Sequence, residues 1–159
     1  MKGMAGPLVG SRDRRKAPAS QFMTTDVFTP EKRSAVMRRI KGRDTGPEMT
    51  VRRALKALGV GYRLGGAALP GRPDVVMKGR RAVIFVHGCF WHGHDCARGA
   101  REPKANGDYW RTKIGRNRER DRASEQALTA DGWRVLTVWE CDLKNPDALN
   151  AHLRSFLGL

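Results

Sequence analysis

Helical spacing of apolar residues predicts two helices in the first third of the chain. The first begins at Thr29, which precedes a proline and a glutamate, and ends near Gly42, because a threonine cap followed by proline favours a helix start. The second begins at Thr45, which can form a reciprocal capping box with Glu48 three residues later. Apolar residues then recur at helical spacing through Leu58, so we predict an amphipathic helix here.

Short β-branched and apolar runs in the rest of the chain predict a small sheet. Apolar residues that recur about every 3.6 positions predict two further helices. The run AVIFV is apolar throughout, which favours a central strand. The order of elements predicts a mixed α/β fold, with a small sheet flanked by helices. The predicted segments are an extended piece at 62–64, an antiparallel hairpin of 74–77 and 82–86, a helix at 108–130, a strand at 133–139 and a helix at 146–157.

The chain is strongly basic. Its 159 residues include 31 Lys or Arg and 16 Asp or Glu, a formal net charge of +15, and a protein so far from neutrality commonly binds a polyanion. We expect nucleic acid as the partner and no membrane, because no segment approaches the roughly 18 consecutive apolar residues of a spanning helix. The length predicts one domain at 23–159 after a disordered basic tail at 1–22. That tail lacks the apolar core of a secretion signal, so we expect a cytoplasmic protein.

Three of the four histidines and two of the three cysteines lie between His87 and Cys96. Cys89, His94 and Cys96 are close enough in sequence to wrap a tetrahedral zinc ion, which prefers thiolate and imidazole ligands. The remaining cysteine, Cys141, follows the last predicted strand and can supply the fourth ligand. For a single free cysteine the alternative is a small buried apolar side chain. For the set we predict a structural zinc site.

The zinc set leaves His87 and His92 unused. Histidine side chains can take a proton from water near neutral pH, so either residue is a candidate general base, and either could instead support the zinc loop by hydrogen bonding. Asp74, directly after a proline, offers the hard oxygen ligand that magnesium-dependent phosphodiester cleavage needs, although Pro-Asp also marks ordinary turns. Glu48 is a candidate second acid, or only a member of its capping box.

Aromatic residues accompany the candidate metal loop. Phe90 and Trp91 lie inside it, and Trp110 begins the long basic helix. Such side chains can stack on bases or wedge between them, and packing in the core is the alternative. Residues 98–122 hold nine Lys or Arg against four acids, which suits a phosphate-facing surface or, alternatively, a solvated helix face.

With these motifs in this order, the chain resembles the very short patch repair (Vsr) mismatch endonucleases. The resemblance covers roughly Thr25 to Cys141 and rests on RDTGPE, LPGRPD, VIFVHGCFWHGHDC, DYWRTKIGRNRERD and GWRVLTVWEC. It implies a restriction-endonuclease-like core, a structural zinc ion and magnesium-dependent nicking of one DNA strand. The implied cut lies 5′ to the thymine of a T·G mismatch left by deamination of 5-methylcytosine. The implied partner is double-stranded DNA with that mismatch, and we expect a monomer.

The resemblance also implies roles for individual residues. Asp74 corresponds to the metal-binding carboxylate and His92 to the general base, with His87 and Glu48 supporting the site. Val86 corresponds to a position that binds magnesium through its backbone carbonyl. The implied zinc ligands are Cys89, His94, Cys96 and Cys141, and the implied DNA-wedging residues are Phe90, Trp91 and Trp110, with Met37 approaching from the opposite groove.

The chain departs from related patterns at one strand. The wider nuclease superfamily has an acid-x-Lys there, whereas this chain has Phe-Val-His at 85–87, so His92 must replace the lysine. The best-known relatives have Thr where Val86 stands, a tolerable change if the backbone carbonyl is the ligand. Two alternatives stay open from the residues alone. One is a zinc-stabilised DNA-binding protein, which would need neither Asp74 nor His92, and the other is a restriction-type nuclease that cuts matched sites.

Overall fold

The structure is a computed structural model that describes residues 43–102, 104 and 106–159. The tail predicted at 1–22 and the helix predicted from Thr29, with Met37 on it, lie outside the described residues. Among the described helices, none has the length and apolar character needed to cross a membrane. The described elements in chain order are α1 (Gly46–Ala57), β1 (Arg63–Leu64), β2 (Val75–Met77), a 3₁₀ turn (Lys78–Arg80), β3 (Ala82–His87), α2 (Gly107–Ala130), β4 (Arg134–Trp139), a second 3₁₀ turn (Asp142–Lys144) and α3 (Pro146–Leu157).

The four strands form one mixed sheet in the order β1-β2-β3-β4. β2 pairs antiparallel with β1 and with β3, while β3 and β4 are parallel, from Ala82 opposite Arg134 to His87 opposite Trp139. The predicted small mixed sheet, its antiparallel hairpin and the central position of β3 are therefore confirmed. Because β3 and β4 are parallel, the segments that follow them leave the sheet at the same end.

Helices cover both faces of the sheet, which explains why β3 is apolar throughout. Ile84 packs in one core with α1 and α3, whereas Val83 and Phe85 pack in a second core with Leu128 of α2. Adjacent residues of a strand point to opposite faces, so a strand between two helical layers needs apolar residues at both. Burial of each large side chain contributes roughly 2 kcal/mol to folding.

Two predicted features differ in detail from the structure. β2 begins at Val75, because Asp74 follows the buried Pro73 and directs its carboxylate at the backbone of β3. Of the apolar positions predicted for the long helix, Leu128 is fully buried, but Trp110 and Ile114 are only partly so. The 24 residues of α2 extend well past the six-residue strands beside it, so its first half packs on a loop rather than on the sheet.

Candidate active site and thiolate cluster

The loop that follows β3, residues 88–96, is fastened on two sides. Glu140 N–H donates to the His87 carbonyl at 2.9 Å, which ties the ends of β3 and β4 together. On the other side Gly93 has a φ of +62°, and a Cβ there would lie 2.7 Å from the side chain of Ile114. A glycine is therefore required for the loop to turn against α2. The amide of Asn117 donates to the Trp91 carbonyl at 2.8 Å and fixes the same contact.

Cys89, His94, Cys96 and Cys141, which we call the thiolate cluster, converge at the base of this loop. One ligand atom from each lies within 4.8 Å of the others, and Cys141 Sγ is 3.5 Å from His94 Nδ1. Cys141 reaches the loop because it directly follows β4. Hydrogen bonding to His94 lowers the pKa of Cys96 to about 6, whereas burial raises the pKa of Cys141 to about 12. Three sulfurs and one imidazole at this spacing suit a tetrahedral zinc ion.

A cavity of about 670 Å³ lies on the other side of the loop and is lined by Asp74, Val86, His87 and His92. The backbone N–H of Val86 donates to Asp74 Oδ2 at 2.7 Å. Burial raises the pKa of the Asp74 carboxyl group, and the hydrogen bond from Val86 opposes this rise. The structure thus brings Asp74 and His92, which come from different elements, to one cavity.

His92 is held by two neighbours. Its Nδ1 lies 2.5 Å from Asp121 Oδ2, and its ring stacks on that of His87 with centroids 3.8 Å apart and planes 7° from parallel. Burial, together with the charge of His92, lowers the pKa of His87 to about 4, so His87 is uncharged near neutral pH. Because Asp121 occupies Nδ1, the other ring nitrogen of His92 is the one left for proton transfer. We call Asp74, His87, His92 and Asp121 the cavity cluster.

Asp121 is the functional candidate that the sequence analysis missed. It lies on α2, 29 residues after His92, and nothing local connects the two. A weak signal was present, since Asn117 and Asp121 are four residues apart on a helix and therefore share one face. That face contacts the loop at both positions. An acid in a segment that is otherwise strongly basic was the other available hint.

Glu48 caps α1 and also lines the cavity. Its carboxylate accepts hydrogen bonds from the Thr45 hydroxyl at 2.9 Å, from Asp44 N–H at 3.0 Å and from Arg52 Nη2 at 3.0 Å. These bonds complete the cap of α1. Glu48 also lines the cavity beside Asp74, with only 7% of its surface exposed. It is thus a fixed acid at the edge of the cavity.

The three predicted aromatic residues pack on one another. Ring centroids of Phe90, Trp91 and Trp110 are 5.3–5.7 Å apart in edge-to-face contacts, and the ammonium of Lys113 lies 5.6 Å from the ring of Trp91 and 5.5 Å from that of Trp110. All three rings are partly exposed and lie outside the two cores of the sheet. Trp91 and Lys113 also line the cavity. This aromatic group is therefore a surface feature beside the cavity.

Comparisons with known proteins identify the family of the chain. The profile of the family described as "DNA mismatch endonuclease Vsr" matches residues 25–98. The type II nicking enzyme V.XorIIP of Xanthomonas oryzae pv. oryzae is 49% identical over 133 residues, which are 84% of this chain and 97% of that protein. The DNA mismatch endonuclease Vsr of Escherichia coli K12 is 45% identical over 124 residues, 78% of this chain and 79% of that protein.

A solved structure, the catalytic domain of the homing endonuclease I-Bth0305I, matches with a TM-score of 0.48 and 19% identity, over 71% of this chain and 94% of that one. The sequence relatives are far more similar, and they cover most of the described residues. Identity of this level over most of both proteins, together with the matching profile, identifies an enzyme family rather than a DNA-binding module. The chain belongs to the Vsr family of DNA mismatch endonucleases.

Proposed function

We propose that this enzyme nicks one strand of double-stranded DNA 5′ to the thymine of a T·G mismatch produced by deamination of 5-methylcytosine, in a magnesium-dependent reaction. The observation that carries the proposal is the cavity shared by Asp74 and the His92–Asp121 pair, with partly exposed aromatic rings at its edge. The mismatch specificity is supported by the relative from E. coli, which is a DNA mismatch endonuclease. A restriction-type nuclease would use the same cavity on matched DNA.

Asp74 fits a magnesium ligand by its surroundings. Its carboxylate is largely buried, its pKa is raised by that burial, and within the described part of the chain no lysine or arginine forms an ion pair with it. A buried carboxylate without a cationic partner suits a hard metal ion, which typically takes one or two carboxylates, waters and substrate phosphate oxygens. Asp74 and the Val86 carbonyl would hold the ion, which would stabilise charge on the phosphate oxygens.

His92 would accept a proton from the attacking water molecule. Asp121 holds His92 Nδ1 and stabilises the imidazolium that forms, while the uncharged ring of His87 fixes the plane of the histidine. As the water oxygen bonds to phosphorus, the bond from phosphorus to the 3′ oxygen breaks. The products are a 3′-hydroxyl, which takes a proton from solvent, and a 5′-phosphate on the thymine. Glu48 would support the site as a second fixed negative charge.

The thiolate cluster would hold a zinc ion with a structural role. Its four donor atoms lie within 4.8 Å of one another and include three sulfurs, which leaves no position for substrate in a tetrahedral site. The ion would join the segment after β3 to the segment after β4, and so fix the loop that carries His92. In this proposal zinc sets the geometry of the cavity without taking part in cleavage.

The aromatic group would insert into the duplex beside the mismatch, because a mismatched base costs less free energy to unpair and unstack than a matched one. Phe90, Trp91 and Trp110 are the proposed wedge, and Met37 is proposed to approach from the other groove. The enzyme is proposed to act as a monomer.

A pair of duplexes that differ only in one base pair tests this function. With magnesium present, we expect a single nick 5′ to the thymine of the T·G duplex and none in the C·G duplex of otherwise identical sequence, in denaturing gels with either strand labelled. Equal cutting of both duplexes would contradict the mismatch specificity and favour a restriction-type nuclease. Cutting that continues after magnesium is removed would contradict the proposed metal.

A further inference from the structure

Arg72 occupies a backbone conformation that arginine rarely adopts. Gly71 and Arg72 have φ values of +71° and +55° in consecutive positions, and the N–H of Arg72 donates to the Leu69 carbonyl at 3.1 Å. At Gly71 the glycine is required, because a Cβ would lie 2.7 Å from Ser124. At position 72 glycine would also adopt the observed φ at lower cost. An arginine kept in this strained conformation points to a use for its side chain.

Arg72 lies where two cavities meet around Asp74. The second cavity, of about 420 Å³, adjoins the first, and the residues that line both are Glu48, Arg72 and Asp74. Only the buried Pro73 separates Arg72 from Asp74 in sequence. The fixed φ of proline makes this connection stiff, so the position of Arg72 is coupled to that of the proposed metal ligand.

The guanidinium of Arg72 is available to a ligand. The residue is exposed, and within the described ranges no acidic side chain forms an ion pair or hydrogen bond with it. Of its neighbours at the junction, Glu48 is paired with Arg52, whereas Asp74 forms no ion pair with a lysine or arginine of the described residues, so a phosphodiester that enters beside Asp74 meets negative charge. The other cations that line the first cavity are Lys113, which lies against the aromatic rings, and Arg118 and Arg122 of α2. Arg72 differs from them because it also lines the second cavity, beside Asp74. A planar guanidinium beside Asp74 is suited to bind phosphate oxygens through paired hydrogen bonds.

We propose that Arg72 is a catalytic residue that binds a non-bridging oxygen of the scissile phosphodiester and neutralises the charge that develops there during attack by water. The proposal rests on the nuclease function proposed above and deepens it. In this proposal the strained turn at 71–72 positions the guanidinium of Arg72 beside Asp74, because both residues belong to one rigid segment of the chain. The substrate contact is with phosphate, so it is independent of base identity.

The test compares Arg72→Gly with Arg81→Gly. Arg81 is the comparison residue, because it is also an exposed arginine at positive φ (+45°), but it lies at the end of β3 remote from the cavity. Its side chain already has a structural use there, since the guanidinium donates to the backbone carbonyls of Asp131 and Gly132. We expect Arg72→Gly to lower the nicking kcat on the T·G duplex by about 100-fold or more, with KM changed less than about fivefold. Its melting temperature should stay within about 3 °C of wild type, because glycine tolerates the turn. Arg81→Gly should nick at the wild-type rate.

Chemical rescue separates a phosphate contact from a structural role. Guanidinium ion at tens of millimolar should restore part of the lost kcat to Arg72→Gly, relative to sodium at equal ionic strength, and Arg72→Lys should retain an intermediate rate. If Arg72→Gly keeps the wild-type kcat, or if only its KM changes, Arg72 does not bind the scissile phosphate as proposed. If wild-type protein fails to nick the T·G duplex, the proposed function fails and this inference with it. If wild type nicks and Arg72→Gly nicks equally, only this inference fails.

Discussion

The thiolate cluster and the cavity cluster share one ten-residue stretch, 87–96, yet their geometries differ. The four donors of the thiolate cluster lie within 4.8 Å of one another. In the cavity cluster His87, His92 and Asp121 lie equally close, but Asp74, the proposed metal ligand, is outside that group. The first arrangement can enclose an ion with protein atoms alone. The second leaves Asp74 facing an open cavity, where waters and a phosphate must complete any coordination shell. A closed set suits a structural ion, and an incomplete set suits a substrate-binding ion.

The comparison also separates what each cluster should control. Loss of a thiolate ligand should act first on folding, because the proposed zinc joins two chain segments that the sheet brings together. Loss of a cavity residue should act on the chemical step, since these side chains lie at the surface of the cavity rather than in the two apolar cores. The following changes probe this division.

Cys141→Ser should have the largest effect. It removes one of four zinc ligands, so we expect the variant to lose bound zinc and about 5 kcal/mol of the free energy of unfolding. Calorimetry should show a melting temperature lower by about 10 °C or more. As a control, a zinc chelator should destabilise wild-type protein to a similar level and leave the variant unchanged. A variant that keeps one zinc per chain and melts with wild type would exclude Cys141 as a ligand.

Asp74→Asn should abolish most cleavage while the protein stays folded. We expect the rate of T·G nicking to fall by about 1000-fold, because the side chain no longer attracts a divalent cation. Gel-shift affinity for the same duplex should be unchanged or slightly higher, since one negative charge is removed. Asp147→Asn, an exposed acid in the first turn of α3, is the matched control. Nicking by Asp74→Asn within tenfold of wild type would remove Asp74 from the mechanism.

Asp121→Asn should slow nicking by about 100-fold, because an amide holds His92 without stabilising the imidazolium. His92→Ala should cost at least as much. In a protein that already carries His92→Ala, Asp121→Asn should lower the nicking rate little further, since the two residues act as one unit. Single-turnover rates of the four proteins measure this coupling. Fully multiplicative effects would mean that Asp121 acts independently of His92.

The depressed pKa of His87 predicts a pH dependence of stability. The pKa of His87 is about 4 in the folded protein, against an ordinary value of 6.5 in the unfolded chain. Between pH 4 and pH 6.5 the unfolded chain therefore binds a proton at His87 more strongly than the folded protein does. The stabilising contribution is therefore complete above pH 6.5 and is lost as the pH falls toward 4. From pH 7 to pH 5 we expect wild type to lose about 2 kcal/mol more than His87→Gln in urea unfolding. Parallel losses in both proteins would show that His87 is not buried as a neutral ring.

Val86→Thr should have the smallest effect. The proposed contribution of this position is its backbone carbonyl, which the substitution preserves, and the N–H that bonds Asp74 is preserved too. We expect the nicking rate and the magnesium concentration at half-maximal rate to change less than about threefold. A tenfold lower magnesium requirement in the variant would instead indicate that a hydroxyl at this position takes part in binding.

Local patterns predicted most of the fold. The described helices and strands lie within one residue or two of the predicted bounds, because caps, glycines and β-branched runs are local signals. The thiolate cluster could be proposed because three of its four members lie in one short loop. Asp121 and Arg72 could not, since their importance depends on where α2 crosses the loop and on a backbone angle at position 72. Such relations exist only after the layers have packed.

The parallel pairing of β3 with β4 fixes an order of assembly. Cys89, His94 and Cys96 follow the first of these strands, and Cys141 follows the second, so the chain must return across the whole of α2 before the third sulfur meets the two in the loop. During synthesis, the loop at 88–96 is therefore made long before Cys141, which completes the thiolate cluster. The loop that carries His92 therefore gains its last thiolate partner only after α2 and β4 have been added to the chain.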